Sequence, residues 1–242
     1  TATSQPAVLT VNLPAAAGPV FTPNGGTFST PPTVTLSSAT PGAAIRYTTN
    51  GSTPSPTTGT LYTGPFTLAA SATVRALAYA TGYANSAVTS ASFTLATPVS
   101  AEFELLTVAA SSGSAVRVTN DAQASGGKTV LYRSTANGQF ITFALGVPTP
   151  GTYSLQISAK RMSDRGILQL AVANSLGGPY TNIDTPKDEY TAAITFGNIP
   201  AFTSPVTFST PGTQYLRFTV TGKNAASSDR NLNFDRILLT PQ

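Results

Sequence analysis

The apolar residues of this chain come in short runs, and Gly, Pro, Ser or Thr interrupts them every few positions. A helix needs roughly ten or more residues of unbroken apolar periodicity, whereas strands of about four to eight residues fit between such interruptions. Hydrophobic residues still make up 40% of the chain, so it can bury a core. The sequence therefore predicts an all-β protein.

Turn and linker signals divide the chain into three predicted pieces. Residues 1–18 contain one alternating stretch, Val-Leu-Thr-Val at residues 8–11, followed by a Pro-bounded linker. Residues 19–96 contain short predicted strands separated by turn dipeptides such as Pro41-Gly42 and Asn50-Gly51, which is typical of a small β-sandwich. Residues 99–242 follow a Thr-Pro boundary and have the length and strand pattern of a β-jelly roll.

The strand at the N-terminus must pair with another strand, because an isolated strand cannot satisfy its own backbone groups. It resembles the closing strand of an immunoglobulin-like domain. Two interpretations stay open. The strand either folds back on this chain as the remnant of a preceding domain, or residues 7–13 are donated to a neighbouring subunit to build a homopolymer.

Residues 19–96 also carry a family resemblance. Phe-Thr-Pro-Asn-Gly-Gly-Thr-Phe at residues 21–28, the segment at 45–54 and Leu-Tyr-Thr-Gly-Pro at 61–65 follow one known order. This region resembles the immunoglobulin-like domain at the C-terminus of chitobiase. The resemblance implies a spacer domain, and it implies no metal site at Asn50, where the family usually has Asp.

The residue types that are missing exclude several functions. The chain has no His and no Cys, so thiol nucleophiles, imidazole bases and the usual zinc ligands are absent. Paired carboxylates can cleave glycosidic bonds, but most of the nine acids lie in polar, turn-like segments. We therefore expect a protein that is not an enzyme.

Charge and hydropathy limit the partners and the compartment. Only 9% of residues are charged and no basic run occurs, so nucleic acid is not an expected partner. No stretch of about 18 apolar residues is present, so we expect no membrane insertion. A chain rich in hydroxyls and free of cysteine is expected to be secreted.

Three acids predict a metal site in the last piece. Glu102 and Glu104 flank Phe103 on a predicted strand, which would place both carboxylates on one face, where they repel unless exposed or bridged by a cation. Asp235 precedes the last strand, and the first and last strands of a jelly roll commonly lie close together. Ligands that offer only oxygen suit calcium.

The same residues carry a second resemblance. Ala-Glu-Phe-Glu at 101–104, Gly-Gln-Phe-Ile-Thr-Phe at 138–143, Pro-Gly-Thr-Tyr at 150–153 and Asn-Phe-Asp-Arg-Ile at 233–237 occur in order. Residues 100–242 resemble the β-jelly-roll carbohydrate-binding modules of families 6 and 35, with Phe140 at the family's core Trp. The resemblance implies a structural Ca²⁺ held by Glu102, Glu104, Asp235 and backbone carbonyls. A solvated pair of acids with a capping aspartate is the open alternative.

The resemblance also implies a sugar site in loops at one end of the sandwich. Residues 221–231 match the ligand-contacting loop, and the amide of Asn224 can donate and accept at once. Tyr132 is the expected aromatic platform. The expected carbohydrate-binding residues are Asn224, Tyr132, Arg133, Arg161, Arg165, Lys223 and Arg230. With Lys128 and Lys160 these bases would favour an anionic polysaccharide; a scatter of solvated charges is the alternative.

The sequence thus predicts an immunoglobulin-like β-sandwich followed by a β-jelly roll. The expected function is that of a non-catalytic carbohydrate-binding module with a spacer, which targets a secreted polysaccharide-acting protein to glycans. The alternative is a structural subunit of an extracellular β-rich filament or adhesin, assembled by donation of the N-terminal strand.

Overall fold

The structure is a computed structural model that describes residues 12–113 and 115–242. The strand expected at residues 8–11, and with it most of the segment 7–13, lies outside the described residues, so strand donation stays a prediction. Apart from one short 3₁₀ helix, the regular secondary structure of the described residues is all strand, and the prediction of an all-β chain is confirmed. Within these residues no helix has the length and apolar character needed to cross a membrane.

The chain divides into two compact units between Leu95 and Ala96. The described part of the first unit contains eight strands: β1 Val20–Thr22, β2 Gly26–Phe28, β3 Thr33–Ser37, β4 Ala44–Thr48, β5 Thr60–Leu61, β6 Phe66–Thr67, β7 Ala72–Tyr79 and β8 Thr89–Leu95.

The strands of the first unit form two sheets. One has the order β1-β3-β6 and the other the order β2-β8-β7-β4-β5, in which only the β2–β8 pair is parallel. Alternate residues point between the sheets, so Val34 and Leu36 of β3 meet Val74 and Ala76 of β7 in one buried core. The predicted immunoglobulin-like sandwich is confirmed.

The segment expected to be a linker is attached to this first unit. The backbone N–H of Ala16 donates to the carbonyl of Ala84 at 2.9 Å, and the N–H of Ala84 donates to the carbonyl of Pro14 at 2.9 Å. The N–H of Ala17 donates to the hydroxyl of Thr40 at 2.7 Å. Residues 14–17 therefore lie against the domain and do not form a free spacer.

The described part of the second unit contains thirteen strands and one short 3₁₀ helix, Phe103–Leu105. The strands are β9 Val99–Glu102, β10 Thr107–Ser111, β11 Ala115–Asn120, β12 Lys128–Arg133, β13 Phe140–Val147, β14 Gly151–Arg161, β15 Gly166–Ala173, β16 Thr181–Asp188, β17 Thr195–Asn198, β18 Val206–Phe208, β19 Gly212–Lys223, β20 Leu232–Phe234 and β21 Arg236–Pro241.

Three sheets build this jelly roll. Their strand orders are β10-β13-β19-β15-β16, β17-β14-β21-β9 with β18 also on β14, and β11-β12-β20. The core between them is centred on four mutually contacting rings, those of Phe103, Phe143, Phe218 and Phe234, whose centroids lie 4.5 to 6.0 Å apart. These rings join the faces of the sandwich around one apolar centre.

A stack of side chains around Arg217 lies on the outer face of the sheet β10-β13-β19-β15-β16. Leu216, Phe218 and the other alternate residues of β19 point inward, which turns Arg217 outward. Its guanidinium lies 4.3 Å from the ring centroid of Phe140 and 3.7 Å from that of Tyr180. Phe140 is thus half-buried on the outer face, and its expected place in the core is wrong.

Candidate functional site

The first and last strands of the second domain lie side by side. Strand β9 pairs with β21 in antiparallel register, with Glu102 opposite Arg236. The backbone N–H of Phe103 donates to the carbonyl of Asp235 at 2.9 Å. The expectation that the two ends of the jelly roll meet is confirmed, and it places Glu102 beside Asp235.

Glu104 reaches this region by a route that the sequence did not indicate. The prediction that Glu102, Phe103 and Glu104 share one strand is wrong, because the chain leaves β9 after Glu102 and turns through the 3₁₀ helix. Glu102 and Glu104 are therefore not alternate residues of one strand. Phe103 is drawn into the aromatic core, and this anchor explains the turn.

A tight loop between β11 and β12 approaches the acids. Ser125 in this loop donates its N–H to Asp235 Oδ1 at 2.9 Å. Its hydroxyl lies 2.9 Å from the same oxygen and 2.6 Å from Glu102 Oε2. One hydroxyl proton cannot satisfy both carboxylates at once, so this pair of acids is short of donors.

Glu104 lies against the next loop residue, Gly126. A Cβ at position 126 would come closer to Glu104 Oε1 than real Cβ contacts allow, so any larger residue there would displace the Glu104 carboxylate. Glu104 Oε2 is buried and has no hydrogen-bond partner. None of the ion pairs found among the described residues involves Glu102, Glu104 or Asp235.

These features bear on whether the site suits calcium. Within the described residues, no three acidic side chains are close enough to form a closed metal cluster. All three carboxylates lie against the loop that contains Ser125 and Gly126, and none of them has a basic partner. One of their oxygens, Glu104 Oε2, is buried without a hydrogen-bond donor. Carboxylate, hydroxyl and carbonyl oxygens are the ligands that Ca²⁺ takes, so the donor set fits once the side chains close on an ion.

A second polar cluster lies at one end of the same domain, which we call the loop end and define as residues 160–166, 187–191 and 223–233. Backbone hydrogen bonds join its three segments: Gly166 donates to Asn231, Glu189 to Gly166, and Ser228 to Ser163, each at 2.8 to 3.1 Å. Side chains and main chain of three separate loops are thereby held together.

Glu189 is the most unusual residue of the loop end, because its side chain is fully buried. Its Oε2 accepts the backbone N–H of Asn233 at 3.0 Å, and its Oε1 has no partner. Burial raises the pKa of Glu189 to about 8, against the smaller opposing effects of the Asn233 hydrogen bond and of Arg165 and Arg161. The expectation that most acids are solvated is wrong for this one.

Asn224 is bound within the protein. Its Nδ2 donates to Asp188 Oδ2 at 2.9 Å, and its Oδ1 accepts the N–H of Ala226 at 3.0 Å. The amide thus joins the 223–233 segment to the 187–191 segment. Both polar groups of the amide already have partners within the protein, and the Nδ2 contact positions Asp188.

The predicted basic residues occupy different settings at the loop end. Half-buried Arg161 donates to the carbonyls of Asp188 and Tyr190, and its Nε is buried without a partner. Lys223 donates to the carbonyl of Ser227 at 2.9 Å, and Arg230 donates to Asn137 Oδ1 at 3.0 Å. These three remain reachable from solvent.

Two expected sugar contacts are wrong because their side chains are buried. Tyr132 is 1% exposed, its ring belongs to the core, and its hydroxyl donates to the carbonyl of Ser112. Arg165 is 3% exposed and paired with Asp164. Neither can contact a glycan from solvent. Arg133 is exposed on β12, outside the three loop-end segments.

Basic residues outnumber acidic ones at the loop end, but most of them already have partners. Its basic residues are Lys160, Arg161, Arg165, Lys187, Lys223 and Arg230. Its acids are Asp164, Asp188, Glu189 and Asp229, and Asp121 reaches in to pair with Lys160 at 2.6 Å. The basic side chains are mostly matched by acids or carbonyls, so the preference for an anionic glycan stays a prediction.

The acidic site and the loop end are connected through Asn233. Its Oδ1 accepts the backbone N–H of Lys160 at 3.1 Å, and its Nδ2 donates to Thr129 at 3.1 Å. Asn233 lies two residues before Asp235 on the strand that also contacts Glu189. Asn233 therefore lies between the acidic site and the loop end and contacts groups of the latter.

Comparison with known proteins identifies the first domain. Residues 23–90 match the family model of the Chitobiase/beta-hexosaminidase C-terminal domain. The first resemblance is confirmed. No curated protein sequence matches the chain.

Solved structures resemble larger parts of the chain. A xanthan lyase from Paenibacillus superposes with a TM-score of 0.54 at 22% identity, over 70% of this chain and 19% of the lyase. The chain thus spans about a fifth of the lyase, and the likeness concerns the fold alone.

Carbohydrate-binding modules are also among the similar structures. A family 35 module from Clostridium thermocellum has a TM-score of 0.38 at 20% identity, over 59% of this chain and 98% of the module. The carbohydrate-binding module of Cellvibrio mixtus lichenase 5A, solved in complex with cellotriose, has a TM-score of 0.38 at 17% identity. The match covers 60% of this chain and 97% of that module.

Sequence reasoning missed three site residues. Ser125 and Gly126 stand in Ala-Ser-Gly-Gly, a turn signal that could have been noticed but that does not say which acids it meets. Glu189 follows Asp188 in a polar segment, and nothing local indicates its burial. Its surroundings come from loops distant in sequence.

Proposed function

We propose that the second domain is a non-catalytic carbohydrate-binding module that takes a glycan at the loop end. The observation that carries the proposal is that backbone hydrogen bonds hold three loop segments together at this end, where half-buried polar side chains from each segment meet: Arg161, Asp188 and Asn224. Each of these segments contributes side chains that donate or accept hydrogen bonds, and a ligand rich in hydroxyl groups suits such a mixture.

The half-buried side chains at this end supply the remaining chemistry. Arg161, Lys223 and Arg230 are hydrogen-bond donors, and Asp188 accepts from Asn224 while keeping further lone pairs. Tyr190 is half-buried in the same segment, and its ring is the aromatic surface on which a pyranose would stack. It takes the role that the sequence had assigned to Tyr132.

The first domain acts in this proposal as a spacer, and the pair targets a secreted polysaccharide-acting protein to its substrate. Weak glycan affinity raises the local concentration of an attached partner without any chemistry in the module. The charge-poor, cysteine-free composition supports an extracellular setting. The predicted ligand is an anionic glycan, and its binding is to be compared with that of neutral glycans.

Replacing Asn224 tests the loop end. We expect Asn224→Ala to weaken glycan binding about tenfold, a loss of about 1.4 kcal/mol, because Asp188 loses the donor that positions it. Calorimetry against uronic-acid polymers and neutral polysaccharides measures the effect. Asn120→Ala, an exposed asparagine on β11, is the matched control and should bind normally. Binding to no polysaccharide in either series would sink the proposal.

Calcium is the second part of the proposal. Glu102, Glu104 and Asp235 would hold the ion with Ser125 and nearby carbonyls. The ion would neutralise three carboxylates that lack basic partners and tie the first strand to the last. Its role is structural, and the protein's own residues supply every contact with the glycan.

A substitution at Gly126 tests the calcium site without replacing any of its three acidic residues. In Gly126→Ala the new methyl group pushes against Glu104, so we expect calcium affinity to fall at least about tenfold, roughly 1.4 kcal/mol. Gly146→Ala is the matched control, since a Cβ there meets nothing within 4 Å. Calorimetric calcium titration of both variants measures the difference, and equal affinities would contradict the assignment.

A further inference from the structure

A groove lies at the end of the second domain opposite the loop end. Strand β15 begins at the loop end, where Gly166 bonds to Asn231, and its last residue, Ala173, lines the groove. At about 3.3 Å per residue the two places are roughly 23 Å apart. The groove has a volume of about 480 Å³ and is formed by residues 172–184 and 204–214.

The lining of the groove combines an apolar floor with uncharged polar groups. Ile183 and Phe208 are 7% and 3% exposed and form apolar floor. The amides that line it are those of Asn174, Asn182 and Gln214. Amides donate and accept hydrogen bonds at once, which suits vicinal hydroxyls, and the floor suits the C–H face of a sugar ring.

The single acid in the lining is already neutralised. Asp184 Oδ2 accepts from Lys187 Nζ at 3.1 Å and from both the N–H and the hydroxyl of Thr203, at 2.6 and 2.9 Å. These hydrogen bonds hold the pKa of Asp184 well below its usual range. The groove therefore offers no free charge to an ionic ligand.

Both sides of the groove are held rigidly. Between Pro179 and Thr181, which line it, Tyr180 stacks on Arg217 and donates its hydroxyl to the carbonyl of Leu176 at 3.0 Å. Asp184 adopts φ 62°, a left-handed conformation unusual for a residue other than glycine, and this conformation accompanies its clamp on Thr203. A site fixed before binding loses less entropy when a ligand enters.

We propose that this groove is a second saccharide-binding site, which takes a short neutral segment of a glycan. The inference shares its ligand class with the proposed function and in that respect rests on it, but none of the groove residues belongs to the loop end. A module with sites at both ends would hold two segments of one chain, or two chains, at once. Such bivalence raises avidity without new contacts.

The experiment maps binding residue by residue. The full chain, labelled with ¹⁵N, is titrated with cellotriose, xylotriose, mannotriose and laminaritriose while amide chemical shifts are followed. We expect at least one of these neutral probes to shift Asn174, Asn182 and their neighbours. Asn182→Ala should weaken that binding at least about fivefold, whereas Asn224→Ala at the loop end should leave it unchanged.

The outcomes separate the two proposals. Shifts confined to the loop end, or no shift at the groove with any of the four probes, would overturn the second site and leave the loop-end proposal standing. Groove shifts without any response at the loop end would support the second site and leave the loop-end proposal standing, because the ligand predicted there is anionic and these probes are neutral. An unchanged groove affinity in Asn182→Ala would also overturn the inference.

Discussion

Removing calcium with EDTA should lower the melting temperature of the second domain by about 10 °C. A ligand present at about a thousand times its dissociation constant stabilises a fold by roughly 4 kcal/mol. In a domain of this size, each kcal/mol corresponds to about 2–4 °C or slightly more. The ion would be lost from the junction of β9 and β21, where Glu102 and Asp235 share one serine hydroxyl.

The chain contains its own control for this measurement. The first domain has no acidic residue up to position 96, so its unfolding transition should not respond to EDTA. Differential scanning calorimetry with calcium, with EDTA and with calcium restored distinguishes the two transitions. If the second transition stays where it was after chelation, the three carboxylates have a role other than holding calcium.

Raising the pH from 5.5 to 8 should destabilise the second domain by about 3 kcal/mol, because of Glu189. Its pKa is about 8 in the folded protein and near 4.5 when unfolded. Between these values the folded state binds the extra proton, so stability falls as pH rises, by at most about 1.4 kcal/mol per pH unit. The stabilising contribution is complete below about pH 4.5 and is lost as pH passes through about 8.

Apart from Glu189, few groups of this chain make the free energy of unfolding depend on pH in this range. The chain has no histidine and no cysteine, so few other groups titrate between pH 5.5 and 8. Arg161, Arg165 and Asp188 are the charged groups that act on Glu189. Urea unfolding at several pH values measures the slope.

Glu189→Gln keeps the shape of the side chain and removes its titration. The variant should show a flat stability profile from pH 5.5 to 8 and should exceed the parent at pH 8. Asp229→Asn, at an exposed acid of the same loops, should keep the parent's slope. A parent profile without slope would mean that Glu189 is solvated or paired in solution.

Local patterns predicted the strands that carry clear alternation. The sequence predicts strands at residues 44–48, 140–145, 152–159 and 214–220. Strand β4 lies at Ala44–Thr48, and β13, β14 and β19 contain the other three segments. The turn at Phe103–Leu105 could not be predicted this way, because the burial of Phe103 among rings from three distant strands overrides the local alternation.

The candidate sites divide in the same way. Glu102 and Asp235 could be placed together because the topology of a jelly roll joins its ends. The burial of Tyr132, Arg165 and Glu189 could not be inferred, since each is enclosed by segments far away in sequence. Residue type alone had favoured exposure for the two charged side chains.

The pairing of β9 with β21 has a mechanical consequence for the second domain. The chain enters this pair at Val99 and passes out of it after Leu239, at the same end of the ladder, while Glu102 and Arg236 lie at the other end. Tension applied between Val99 and Leu239 would open the ladder one hydrogen bond at a time, from Val99 inward. The carboxylates at Glu102 and Asp235 are the last part of the pair to be loaded, so an ion bound there would act as the final latch against peeling.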